Sequence, residues 1–600
     1  MASRVKEKTI RPLDGGQLMP ELSDELPGIE NYVVKQNFRR EFDAEERRPG
    51  WDFFPGLRLN QGLPITLVGD VEAVDGTHEI VAATATDIFR FDATLRIWTN
   101  IGTGYDLNAR RWQLVVVNGV AVFNNGSDLP VSWEVGDLTV TPLYELRESG
   151  FARVETIENY ENFLVCSGMT ELNDTTDFMN NFALYVPAGQ DAYGRVIDDT
   201  VVTAFPNEVV WSDAGDPRRY RLVINGDYAN ATGIITLDHP TMAFQLGDFI
   251  NMGAEISNEE ITFVNAARTQ LTVAAGFTAL TDVFVTMHDF AALLSGYNEL
   301  GGSGNRIINS MVLGDFLVVY SEQGVWIGTV TGQQQEPLVF DRQYTGSNAL
   351  FYQDAIGNVE DEYHLFAGKQ RFWTFDLVKK RPVYHKKLNF VQKEYFPEAD
   401  QTVHIVENDL DKEIWLCLPE ESNKTIVYDS EQDTVDTIDA TFSAGSSVKN
   451  PFVLIADDDT DIWFVLGGFD GQVYLYKHDE DGADVYHRKG LDYSSVLQMG
   501  LGSFGDDFYA KNLNSYTLLY QDESEDVTVQ VEFLRSINPK AVPDVAATTT
   551  VTKDHNYKPT HFRGIYWSVR LTITGQGNPA SIIGQIFGVS QTRSKPLGRL

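Results

Sequence analysis

Cysteine is nearly missing from this sequence, with two in 600 residues, Cys166 and Cys417. No Cys-x-x-Cys occurs, which excludes a zinc ribbon and a disulfide scaffold. Their contexts, FLVCSG and IWLCLPE, read as apolar strands, so both thiols are expected to be small core residues. Long hydrophobic runs are lacking too. The longest, LVVVNGVAVF at 114–123, is broken by Asn118 and falls far short of a membrane span. The opening MASRVKEKTIRPLDGG is charged and has no apolar core, so it does not read as a secretory signal. A soluble protein made in a cytoplasm is the expectation. Positive charge is the third shortage: 47 Lys+Arg face 86 Asp+Glu, a formal net charge of −39. Such a field repels phosphate backbones, which excludes ordinary nucleic-acid binding by counterion release. A surface that DNA passes without sticking stays open.

Helical periodicity is nearly absent as well. What recurs is a run of four to eight residues rich in Val, Ile, Phe, Tyr, Trp and Thr, closed by Gly, Asn or Asp. LRIWTN (95–100), EVVWSD (208–213), FLVVYSEQGVWIGTV (316–330), EIWLCLPE (413–420) and DIWFVLGGFDGQVYLYKHD (461–479) are examples. With 49 glycines and 12% aromatics, the composition suits many short strands joined by tight turns. The fold class is all-β. Three hairpins share one plan, with polar turns SEQG (321–324), AGKQ (367–370) and GFDG (468–471), where Gly324 and Gly471 are expected to supply positive φ. Hairpins spaced by roughly 40–60 residues are what propeller blades look like in sequence. Six or seven blades are expected between about 64 and 480.

The organisation along the chain follows from breaks in this rhythm. Residues 1–60 read as an N-terminal arm, 61–217 as the first run of blades and 218–292 as a small inserted β domain. Residues 293–504 carry the remaining blades, and 505–600 alternate apolar and polar residues as a C-terminal sheet platform with one wet face. The chain ends are basic against the acidic body: Arg4, Lys6, Lys8 and Arg11 at one, Arg593, Lys595 and Arg599 at the other. They are expected to dock on an acidic neighbour or to stay solvated.

Motifs that carry chemistry are scarce. Asp457, Asp459 and Asp461 have calcium-loop spacing, but Ile462 and Gly468 stand where that loop needs Gly and Glu, so a solvated turn is expected. The ten histidines are scattered without a His-x-x-x-His pair, and neither a Gly-x-Ser-x-Gly elbow nor a Walker loop occurs. WSDAGDP (211–217) matches a sialidase Asp-box only at Asp213 and Gly215. No catalytic residue, cofactor or metal ligand is assigned, and the chain is not expected to be an enzyme.

Several segments together resemble the tail nozzle, or tail tubular protein B, of short-tailed bacteriophages, a family related in plan to packaged-DNA stabilisation proteins. The first runs from 15 to 54 and contains Leu26-Pro27, Asn31-Tyr32 and the basic-Pro-Gly step Arg47-Arg48-Pro49-Gly50. The second is FPNEVVWSDAGDP (205–217), with Val209, Trp211 and Ser212. The third spans 305–377 and holds a -VY- strand, Arg342 near Gly346, and the FAGKQRFWTFD hairpin with Trp373. The closing segment 561–600, HFRGIYWSVRLTI to the basic end, resembles the family's last strands.

The resemblance covers most of the chain, and its motifs are strand and turn features rather than chemistry. Trp211, Trp326 and Trp373 are accordingly expected to pack in cores or at sheet edges, Arg47–Gly50 to build a turn, and Arg342 to pair with an acid. The resemblance implies a structural virion protein, made in the host cytoplasm and built into the tail. Its subunits would form a homo-oligomeric ring, a hexamer in the family, docked to the tail adaptor (gatekeeper) ring and to tail fibres or tip proteins. Genomic DNA would pass through without specific binding. Two readings from other classes are a propeller adhesin that grips host glycan and a glycan depolymerase.

Overall fold

A computed structural model of the protein describes residues 6–10, 32–41, 44–55, 59, 62–143, 145–146, 151–171, 204–220, 223–237, 241, 243–253, 255–287, 294–301, 305–333, 336–345, 350, 352–368, 372–383, 403–431, 434–452, 462–477, 488–489, 491–499, 511–520, 527–536, 543–564, 566–575 and 581–591. The protein is all-β, as its strand-length apolar runs imply. Between Leu67 and Tyr476, among the described residues, the chain lays down seven antiparallel runs of four strands in order, six of them separate sheets and the sixth in order the end of a nine-stranded sheet. Their innermost strands are Leu67–Glu72, Gln113–Val117, Phe151–Tyr160, Ile307–Leu313, Ile356–Val359, His404–Asn408 and Ala444–Lys449. The outermost strand of the seventh comes from far upstream, Trp51–Phe53, which pairs with Val473–Tyr476.

Apolar side chains on both faces of each sheet build a separate core against each neighbour. Sheets one and two share Val81, Trp112 and Trp133, and sheets two and three share Val115, Leu164 and Val210. Trp211 and Leu317 join three to four, and Tyr320 and Phe366 join four to five. Leu365 and Leu416 join five to six, and Trp415 and Phe464 join six to seven. The last core returns to the start: Phe89 and Phe91 of the first sheet pack with Trp463 and Val465 of the seventh. The sheets therefore pack in a cycle, with each sheet buried on both sides.

Turn chemistry is local. The Asn118-Gly119 pair, φ 48° and 82°, closes the hairpin between Gln113–Val117 and Val120–Asn124 in the manner of a primed turn. Gly471 has the expected positive φ of 74°. Gly324 does not: it lies in an extended strand paired with Ser321. Its missing side chain serves close approach instead, since a Cβ there would lie 2.5 Å from the Tyr344 carbonyl oxygen. Cys166 and Cys417 are fully buried, and burial raises their thiols to about 12 and about 11.

Two further bodies flank the cycle. Between Trp211 and Gly296 of the third sheet, seven strands from Val223–Ala229 to Leu280–Met287 form their own sheet. Its core, including Ile224, Tyr228, Phe244, Ile250, Leu271 and Val285, is drawn entirely from this stretch. The segment from Ile256 to Val264 pairs first with Phe249–Met252 and then with Gln270–Thr272, so it joins both edges of that sheet.

The other body weaves the two halves of the sequence together. Lys6–Ile10 and Ala44–Arg47 both pair with Ser581–Gln591. Tyr32–Gln36 pairs with Tyr493–Met499, and also touches the sixth sheet in parallel at Gln36 and Thr437. Two layers result, closed over Phe38, Leu497, Tyr516, Phe533, Leu571 and Phe587. No helix among the described residues is long and apolar enough to cross a membrane.

Candidate functional sites: a polar cavity and an arginine clamp

The innermost strands surround a cavity of about 450 Å³, lined by Asp70, Gln113, Glu158, Asn309, Ser310, Ser446 and neighbouring residues from five of the seven sheets. Polar bonds stitch consecutive sheets around it. Asn159 Nδ2 donates to the Val116 carbonyl at 2.8 Å, and Thr156 Oγ1 to Asn309 Oδ1 at 2.9 Å. Asn309 Nδ2 then reaches the Gln353 carbonyl at 2.8 Å, and the Asn358 amide donates to Glu407 Oε1 at 2.5 Å. The Asp409 amide donates to Ser447 Oγ at 3.2 Å, and Lys449 bridges the seventh sheet to the first through Asp70 and, at 2.7 Å, Glu72.

Charges at one rim are matched. Glu155 accepts from Arg110 and from Arg306 Nη2, the latter at 3.1 Å, and Asp354 sits beside Arg111 and Arg110. At the opposite end of the strands His78 Nδ1 lies 3.4 Å from Asp70. Glu158 and Glu407 differ, because no ion pair reaches either one among the described residues. Burial pushes Glu158 up to about 8, aided by the nearby Glu407 charge and opposed by the Asn159 amide. Burial also pushes Glu407 up to about 7; the Asn358 amide opposes, while Asp409 and Asp361 add to the rise.

The second site forms where the chain crosses from the two-layered body to the seventh sheet. Arg47 and Arg48 were expected to build a turn with Pro49 and Gly50. Both are buried, and residues 48–50 form no turn but a short link without regular structure between Ala44–Arg47 and Trp51–Phe53. A turn would leave two guanidinium groups in water, whereas here each has a prepared set of acceptors. Arg48 contacts Glu413 at 2.8 Å and Asp436 at 3.4 Å, and Glu413 also accepts from Trp415 Nε1 at 2.9 Å. Burial opposes the Arg48 charge, but Glu413, Tyr476 and Asp436 outweigh it and raise its pKa.

Arg47 donates to the Tyr493 carbonyl at 3.1 Å and lies 4.4 Å from the centroid of that ring. Arg488 lies at the same 4.4 Å from the Tyr493 centroid and 4.3 Å from that of Trp51. Asp411 receives Arg39 at 3.0 Å and Lys477 at 3.1 Å. Burial alone would raise Asp411, but these two cations prevail and hold it below the usual carboxylate range. The clamp is a device for holding two bodies together; nothing in it presents a nucleophile to an open cleft.

The other motif residues lie apart. Trp211 is buried in the third sheet with Nε1 donating to the Leu294 carbonyl at 2.8 Å. Ser212 Oγ accepts from the Leu164 amide at 3.0 Å and donates to the Asp213 carbonyl at 2.9 Å, so it is a strand-edge fastener. Trp373 is half-buried in the fifth sheet beneath Lys380 Nζ, 4.2 Å away. Among the described residues Arg342 does not meet an acid, contrary to expectation. It donates to the Gln323 carbonyl at 2.9 Å and lies over Trp326, because its strand faces a neighbouring turn and ring rather than a carboxylate. Gly346, Asp457, Asp459, Asp461 and the extreme basic ends lie outside the described residues, as does Lys369-Gln370 of the AGKQ turn.

Neither Glu158 nor Glu407 was singled out by sequence reasoning. The only signal was a carboxylate within an apolar strand, in VETIENY and IVEND, and with 86 acids in the chain it does not stand out. Among the described residues no group of three or more His, Cys, Asp and Glu side chains is placed to hold a metal ion.

No family model and no curated protein matches the sequence. Among solved structures, one chain from the crystal structure of a mitotic checkpoint complex is similar at 9% identity, covering 73% of this chain and 98% of that one, with a TM-score of 0.33. A likeness at that level carries no functional argument.

Proposed function

We propose that the cycle of seven sheets is a β-propeller, that the 223–287 body is a small barrel inserted in its third blade, and that the protein is a ring-forming nozzle subunit of a short phage tail. The observation that carries this reading is the two-layered body built from both ends of the chain. A propeller closes on itself and needs no such attachment, whereas a ring subunit needs a second, rigid surface to meet its neighbours and the adaptor ring. The clamp of Arg39, Arg47, Arg48 and Arg488 fixes that body to the propeller, as a load-bearing conduit requires. The net charge of −39 per subunit fits a lumen that repels the DNA backbone and offers it no place to bind and stall. No catalytic step, cofactor or membrane span enters this reading.

Mass photometry of the purified protein, alone and with tail components, tests it. Rings of about six subunits with a central hole are expected from the family resemblance. A monomer that joins no ring in the presence of its tail partners overturns the reading.

A second reading, glycan binding by a tail-tip adhesin, has one observation in its favour. Leu246, Phe249 and Phe263 of the inserted body are 70%, 45% and 57% exposed. Leu246 and Phe263 also line a hollow of about 550 Å³ with Gln245, Asn265 and Arg268. Apolar faces beside amide and guanidinium donors are the surfaces that sugar rings stack on. Retention of the monomer on host polysaccharide, lost in Phe263→Ala, would favour it.

A further inference from the structure

Charge is divided unequally between the two main bodies of this chain. Residues 1–60 and 505–600, which supply most of the two-layered body, together hold 20 Lys and Arg and 20 Asp and Glu. The net −39 therefore falls entirely within 61–504, the cycle of sheets and its inserted body. Exposed acids mark one end of the cycle. In five of the seven sheets the turn that leaves the innermost strand carries one: Asp75, Glu161, Asp315, Glu360 and Asp409. These turns share an end because successive innermost strands run side by side in one direction, as the bonds from Asn159 to Val116 and from Asn358 to Glu407 record.

One layer of the two-layered body has the opposite character. Three neighbouring strands of its six-stranded sheet, Lys511–Tyr520, Tyr557–Gly564 and Ser581–Gln591, contain no Asp or Glu, in a chain with 86 of them. Residues alternate across this layer. Thr560 and Phe562 turn to the core, while Tyr557, Pro559, His561 and Arg563 are exposed, Tyr557 at 58%. The strand register sets Tyr557 beside Thr517, Thr517 beside Ile586, and Arg563 beside Asn512, so these residues share one face. Arg and Tyr on a surface without acids are the side chains that anchor protein interfaces. Tyr557–Gly564 is also the end strand of its sheet, but Pro559 removes a donor from that edge, which favours contact through the face over strand addition.

We propose that this acid-free face docks on the acidic cycle of sheets of a second copy of the chain, with Arg563 and Tyr557 as its anchors. Two cycles of sheets repel one another, so attraction between copies selects an acid-free face on one and the acidic rim on the other. The two patches are unlike. Each subunit therefore offers one and receives on the other, a head-to-tail contact that closes as a ring. Resting on the ring reading, this contact supplies the surface through which the ring forms.

Mass photometry of the full chain, alone and with tail components, at about 50 and about 500 mM salt tests it in the wild type, Arg563→Glu and Tyr557→Ala. Both side chains are exposed, so thermal midpoints close to wild type are expected of both variants. Wild-type rings should thin out at the higher salt, and Arg563→Glu should raise the concentration for half-assembly about tenfold or more at the lower salt. Tyr557→Ala should weaken assembly at both. Rings formed equally by the wild type and both variants overturn the face and leave the ring reading intact. Variants that form normal rings but no longer capture a tail component overturn the second copy as occupant, in favour of the adaptor. A wild type that stays monomeric with its tail partners overturns the ring reading, and the face falls with it. Should a variant lose its fold, carbodiimide coupling in wild-type rings mixed from isotopically light and heavy copies serves instead. Lys511 or Lys558 joined to an acid of 61–504 in the other copy supports the contact, and coupling within single copies alone overturns it.

Discussion

The clamp and the inner strands hold carboxylates of the same kind, fully buried in the first at Glu413 and Asp436 and half-buried in the second at Glu158 and Glu407, and treat them in opposite ways. In the clamp, Asp411, Glu413 and Asp436 each meet a guanidinium or ammonium within 3.4 Å. On the inner strands, and among the described residues, Glu158 meets the Asn159 amide and Glu407 the Asn358 amide, with no ion pair to either. The clamp carboxylates are therefore strong points whose loss exposes a buried partner, whereas Glu158 and Glu407 are each a point of conditional weakness. The same side chain becomes a fastener or a sensor according to what the neighbouring strand brings.

The largest expected effect comes from breaking the clamp at its centre. Arg48→Met leaves Glu413 and Asp436 buried without their counter-charge, and a cost of about 3–5 kcal/mol is expected in urea unfolding. A loss below about 1 kcal/mol would show that water enters the site and that the clamp is not a strong point. Trp211→Ala tests ordinary core packing on the same scale, about 3–5 kcal/mol, since it leaves a cavity between the third and fourth sheets and orphans the Leu294 carbonyl.

Next comes Asp411→Asn, expected to cost about 1–3 kcal/mol at neutral pH. Its folded pKa is depressed, so the wild-type advantage is present above the unfolded value of about 3.9 and fades as pH falls below it. Glu158→Gln and Glu407→Gln should each diverge from wild type at the alkaline end, as pH rises through the folded values of about 8 and about 7. Opposite pH signatures at the two sites are the sharpest form of the comparison, and like signatures would abolish it. An effect of similar size is expected for Gly324→Ala. The new methyl meets a backbone oxygen rather than a yielding side chain, and about 1–3 kcal/mol should be lost. Lys412→Ala, at the exposed pair with Glu431, should leave the thermal midpoint unchanged.

These differences explain what was legible in the sequence. Val-, Ile- and aromatic-rich runs announce strands because β-branched and aromatic side chains pack well on a pleated surface. Asn118-Gly119 announces its hairpin because both residues tolerate positive φ. The rhythm of hairpins and its interruption after residue 217 likewise depend on near neighbours. Arg47-Arg48-Pro49-Gly50 misleads for the same reason. Read locally it is a turn, and its partners Glu413, Asp436, Ser495 and Tyr493 lie hundreds of positions away. Glycine misleads at 324 because turn position suggests conformational freedom, while the real constraint is the approach of a strand carrying Tyr344.

The sequence by itself determined the all-β class, the acidic field and the location of most strands, because side-chain shape, net charge and turn preference act over a few residues. Only the tertiary structure decided which carboxylates are paired. Return of the chain brings Trp51–Phe53 to the seventh sheet and Arg48 to Glu413, while among the described residues no ion pair reaches Glu158 on the third sheet or Glu407 on the sixth. Electrostatic energy depends on distance and burial, and neither is written along the chain.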